Sequence, residues 1–96
     1  MSQARRKILV QVTAEDIANG VPHKYTGCPV ALAVKRASGL GYVSVGKVSM
    51  LLERSADHHP DRISAPLSVQ RFVRRFDKNP LKAKPFNFFL LLPKGL

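Results

Sequence analysis

Between Pro66 and Pro80 the chain sets cations and apolar groups in a pattern that only a helix can sort. Arg71, Arg74, Arg75 and Lys78 stand at i, i+3, i+4 and i+7, which puts them on one side of a helix over Leu67–Lys78. Val69, Phe72, Val73 and Phe76 repeat that spacing two residues earlier. Such an offset is about 200° around a helical wheel, so the apolar and basic stripes face opposite ways. The segment is therefore predicted to lie against a core with its cations in water. Like charges at these spacings repel by a few tenths of a kcal/mol per pair, a cost that an anionic partner would offset. No acid intervenes between Arg71 and Arg75.

A chain of 96 residues has room for a single domain, 1–96, with one modest core. The 45% hydrophobic content fits a globular class and argues against disorder. Lysine and arginine number 16 against 6 acids, a formal net charge of +10. That surplus speeds encounters with polyanions, although a basic surface without a specific target is the competing interpretation. One cysteine, Cys28, excludes an intramolecular disulfide and is compatible with a reducing compartment. No apolar run approaches the roughly 18 residues of a membrane span, and no membrane partner is expected. The stretch after Arg5-Arg6-Lys7 is too short for a signal-peptide core, so the expected location is cytoplasmic.

Along the chain, Lys7–Val12 is β-branched and mostly apolar, a first strand. Thr13 and Asp16 make a capping box with a shortened acid, opening a short helix that Asn19-Gly20 closes through a left-handed glycine. Pro29 suits a helix first turn, Val30, Ala33, Val34 and Ala37 form an apolar stripe behind it, and Gly39 ends it. Tyr42–Val45 and Val48–Leu52 alternate as strands around Gly46-Lys47, a type II′ hairpin or a glycine bulge. Glu53–Ala65 reads as an exposed loop. The final strand, Phe86–Leu92, is apolar on both faces, so it is either central and covered or offers one face to a second copy. The order β-α-α-β-β-α-β gives an α+β domain: a mainly antiparallel sheet of about four strands with two to three helices on one face.

The basic helix is the leading candidate for function, since guanidinium groups grip phosphates, bidentate where geometry allows. Supporting cations stand at Arg5, Arg6, Lys7, Lys35, Arg36, Lys82 and Lys84. Tyr25 and Tyr42, in or beside loops, are candidates for stacking on bases. The five phenylalanines fall at core positions. Cys28 precedes Pro29 at a helix N-terminus, where the dipole lowers a thiol pKa, but no base completes a triad and a buried or capping role is favoured over a nucleophile. His58-His59 lack metal-ligand spacing and no catalytic constellation assembles, so neither a metal, a cofactor nor an enzyme is expected.

Val12–Gly20, then Cys28–Ala33, Phe72-Val73 to Phe76-Asp77 and Pro85-Phe86-Asn87-Phe88 together resemble a group of small phage and prophage accessory proteins. The resemblance implies expression in a bacterial host cell and, by analogy of origin, a role against host defences. It assigns no residue a role. The expected function is that of a non-enzymatic binder of nucleic-acid phosphates. The alternative is an anti-defence protein that sequesters a nucleotide second messenger or blocks a host immune protein.

Overall fold

The computed structural model describes residues 6–54, 60–93 and 96. Its elements are β1 (Lys7–Val12), α1 (Ala14–Asn19), α2 (Pro29–Ser38), β2 (Tyr42–Val45), β3 (Ser49–Glu53), β4 (Asp61–Ser64), α3 (Leu67–Lys78) and β5 (Phe86–Leu91), with a 3-10 turn over Pro80–Lys82 before β5. The architecture is α+β. Its strands divide between two antiparallel sheets, β1-β5 and β2-β3-β4, where the patterning led to one sheet of about four strands. The additional strand, β4, lies inside the segment read as a loop. Asp61-Arg62-Ile63-Ser64 has one apolar residue and no buried one, and its strand character comes from pairing with β3, Met50 opposite Ile63. Side-chain alternation carries no trace of a strand recruited by its backbone alone.

The β2–β3 hairpin forms one residue later than expected. Val45 pairs with Met50, and the Gly46 N–H donates to the Ser49 carbonyl at 2.8 Å, leaving Lys47-Val48 at the turn centre. Gly46 does not adopt a left-handed φ, so this is not the type II′ turn that glycine in first place suggested. Gly39 does, at φ 74°, and its N–H closes α2 on the Lys35 carbonyl at 3.0 Å.

Helix α2 joins the two sheets. It packs across β1 on one side and β2 on the other, through Pro29, Val30, Ala31, Ala33 and Val34. Ala37, assigned to this stripe from spacing, is exposed; Ala31 takes its place. Helix α3 buries Val69, Phe72, Val73 and Phe76, as its period requires. The Phe72 ring lies 4.8 Å, centroid to centroid, from Phe86 just at the start of β5, and Phe86 stacks 5.6 Å from Phe88. The inner side of β5 thus belongs to the core. Its outer side, Asn87, Phe89 and Leu91, is open together with Leu9 of β1, and Lys7 Nζ sits 4.7 Å above the Phe89 ring.

Asp16 ties the first three elements together. Its carboxylate accepts from the Thr13 N–H at 2.9 Å while the Thr13 hydroxyl accepts from the Asp16 N–H at 3.1 Å, completing the capping box. Both carboxylate oxygens also take Arg36 of α2, at 2.7 and 2.8 Å, and Arg36 Nη2 donates to the Gln11 carbonyl of β1 at 3.0 Å. The Asp16 side chain is 5% exposed and that of Arg36 54%, so the carboxylate is the group that would be stranded without its partner. The Arg36 guanidinium, with Thr13 behind it, holds the Asp16 carboxyl below its ordinary pKa against the opposing effect of burial. Gly20 ends α1 in extended geometry (φ −73°, ψ 151°), and its lack of a side chain serves packing: a Cβ there would lie 2.5 Å from Pro29 Cδ.

Two outcomes test these assignments. A carboxyl whose pKa is depressed on folding contributes stability in full above its unfolded pKa of about 3.9 and loses it as pH falls through the folded value. The thermal midpoint should therefore fall more steeply below about pH 4 in the wild type than in Asp16→Asn, with Asp16→Asn costing about 1–3 kcal/mol at pH 7. Parallel pH profiles would refute the pairing. Gly20→Ala should destabilise by about 1–3 kcal/mol from overpacking, and Pro29→Ala added to it should recover part of that loss in urea titration.

Candidate anion-binding surface

Burying Phe72 and Phe76 fixes the rotation of α3, so Arg71, Arg74, Arg75 and Lys78 all face outward and exposed. A concave cleft of about 780 Å³ opens along this face, lined by Arg74, Arg75, Asp77, Lys78 and Asn79 of the α3 end, by Lys82 of the 3-10 turn, by Lys47 of the β2–β3 turn and by His23 of the α1–α2 loop. A second, of about 300 Å³, lies between α3 and the chain entering β5, lined by Ser68, Arg71, Phe72, Arg75, Lys84, Pro85 and Phe86. Arg75 lines both. The two clefts thus gather the four α3 cations with Lys47, Lys82 and Lys84 into one region.

The acid in that region is already engaged. Asp77 Oδ1 accepts from the His23 backbone N–H at 3.0 Å, and Oδ2 lies 3.6 Å from His23 Nδ1. His23 holds a left-handed φ of 62°, which histidine tolerates better than most residues. Among the described residues Asp16 pairs with Arg36 and Asp77 lies against His23, so no described acid is paired with an α3 cation.

The remaining sequence candidates go elsewhere. Arg36 is paired with the buried Asp16 and lines neither cleft of α3, so it does not join the α3 cations. Arg6 donates to the Ser38 carbonyl at 3.1 Å, the end of α2, and Lys35 is exposed on α2; neither lines a cleft of α3. Arg5 and His58-His59 lie outside the described residues. Tyr25 is exposed in the α1–α2 loop and Tyr42 is partly exposed at the start of β2, and the ring of neither lines a cleft. Lys47 and His23 were missed because nothing local in the sequence says which end of a hairpin meets which end of a helix.

Cys28 caps α2, its sulfur accepting from the Ala31 N–H at 3.4 Å, and it is buried. Burial pushes its thiol pKa up, outweighing the backbone N–H groups of Ala31 and Val30. A buried, protonated thiol is a poor nucleophile. Among the described residues no group of three or more His, Cys, Asp or Glu is placed to hold a metal ion, and no helix is long and apolar enough to cross a membrane.

Fold and surface together define a small α+β domain with a cationic, grooved helix face. No protein family, no characterised protein and no solved structure matches the chain.

If Cys28 caps from the interior, iodoacetamide at pH 8 should label the native protein many-fold more slowly than the urea-unfolded chain. Equal rates would place the thiol at the surface.

Proposed function

We propose that this chain is a non-enzymatic basic binding protein that grips nucleic-acid phosphates through α3 and its flanking clefts. The observation that carries this reading is the convergence of cations from separate elements: α3, the β2–β3 turn and the segment leading to β5 bring Lys47, Arg71, Arg74, Arg75, Lys78, Lys82 and Lys84 to one face. Folding them together costs free energy by mutual repulsion, which a polyanion removes. Phosphate contacts of this kind supply affinity without base specificity, and they release counterions in proportion to their number. The resemblance to phage accessory proteins is the ground for proposing that such a binder works in the cytoplasm of a bacterial host. The outer face of β5 is where a second copy would meet it, if it works as an oligomer.

A second reading has its own support. The larger cleft, about 780 Å³, is of the size that encloses small ligands. On that reading the same cations hold a phosphorylated nucleotide signal, and the protein acts against host defence by sequestering it or by blocking a host immune protein. Calorimetry against cyclic and ADP-ribose-type nucleotides, with DNA as control, separates the two; no heat with any nucleotide removes the sequestering form.

For the nucleic-acid reading, four phosphates engaged on duplex DNA give log K against log salt a slope of about −3.6. Arg71→Glu with Arg75→Glu should lower affinity at least tenfold and flatten the slope by about 1.8, with an unchanged circular dichroism spectrum since both side chains are exposed. Binding untouched by the double reversal rules the reading out.

A further inference from the structure

The larger cleft differs from a plain basic patch in having an exposed tyrosine on an anchored loop whose backbone meets it, although the ring itself is not part of the lining. Tyr25 is 60% exposed. A lone surface aromatic is ordinary and signals nothing by itself. Its position is what matters. The loop is fixed on both sides of the ring: two residues earlier, His23 lines the cleft and its N–H is held by Asp77 of α3 at 3.0 Å. At Tyr25 itself the carbonyl accepts the Val45 N–H at 2.9 Å, at the end of β2, and Lys47, two residues past Val45, lines the cleft again. The backbone of Tyr25 therefore stands at the cleft rim between two of its lining residues. Asp77 also lines the cleft, with Oδ1 accepting the His23 N–H and Oδ2 3.6 Å from His23 Nδ1.

Resting on the polyanion reading above, we infer that this cleft takes single-stranded nucleic acid, with one base stacked on the Tyr25 ring and the adjoining phosphates held by Lys47, Arg74 and Lys78. Cations lining a groove beside an aromatic platform are what a single strand needs, since every base has a face to stack and every linkage a charge to neutralise. A duplex keeps its bases stacked on one another and has none to give the ring. It would meet the outward cations of α3 without entering the cleft. Tyr42 stands at the opposite end of β2 from Val45, about 10 Å away along the strand, and takes no part.

The test is fluorescence anisotropy with a labelled 12-nucleotide oligothymidylate and with a 12-base-pair duplex, at several salt concentrations. Tyr25→Ala should weaken the single strand at least fivefold, leave the duplex affinity alone and keep the salt slope. Tyr25→Phe should restore binding. A second readout needs no loss of the ring: the chain has two tyrosines and no tryptophan, so in Tyr42→Phe all tyrosine fluorescence comes from Tyr25. The oligothymidylate should quench it and the duplex should not. Thymidine monophosphate in the same assay shows whether one nucleotide suffices; saturation by the monophosphate at the affinity of the strand would overturn the single-strand assignment. Equal weakening of strand and duplex by Tyr25→Ala, or no quenching, overturns the stacking. Binding of neither oligonucleotide by the wild type overturns the polyanion reading and this inference with it, whereas strand binding that depends on Arg71 and Arg75 but ignores Tyr25 overturns this inference alone.

Discussion

The burial of Phe72 and Phe76 beneath α3, with Phe72 against Phe86 of β5, sets the rest of the surface. Aromatic burial of this kind is worth several kcal/mol per side chain, more than the whole repulsion among the neighbouring cations. A helix with Val69 and Val73 also in the core has one rotation open to it, and at that rotation Arg71, Arg74, Arg75 and Lys78 have nowhere to go but outward. The basic face is thus a by-product of core packing in its orientation, though not in its composition. The core makes no demand for cations at those four exposed positions.

The other half of the molecule is organised by a charge that is used up rather than displayed. Asp16 and Arg36 bind one another across α1 and α2, with β1 drawn in through the Gln11 carbonyl. Two arginines with similar sequence surroundings therefore have opposite employment. Arg36 stabilises the fold and Arg75 faces open water between two clefts. Counting charges alone would have assigned them the same task.

Periodicity made much of this legible. The α3 stripe, the Thr13 capping box, Pro29 at the start of α2 and Gly39 at its end are local signals, each carried by a few adjacent residues, and each reappears in the structure. Strand β4 was invisible because a strand held by its backbone needs no alternation. The division into two sheets was equally hidden, because both β5 and β2 are apolar enough to share one. For the candidate surface, the α3 cations could be read off the helical period, and Lys82 and Lys84 stood out as charges. Lys47 and His23 could not be assigned to it, since their place depends on how the hairpin and the α1–α2 loop come to rest against α3. The pairing of Arg36 was hidden for a related reason: its partner lies 20 residues away, on another helix.

The uncovered outer side of the β1–β5 ribbon gives ionic strength two opposing actions on this molecule. Phe89, Leu9 and Leu91 form a small greasy spot guarded by Lys7 and by a formal net charge of +10. In dilute buffer, mutual repulsion between copies keeps those spots apart. Concentrated electrolyte shortens the reach of that repulsion from about 10 Å at 0.1 M to about 3 Å at 1 M and strengthens apolar contact when the anion is sulfate. Salt high enough to strip a polyanion, should α3 bind one as proposed, would therefore also remove what keeps the bare protein dispersed.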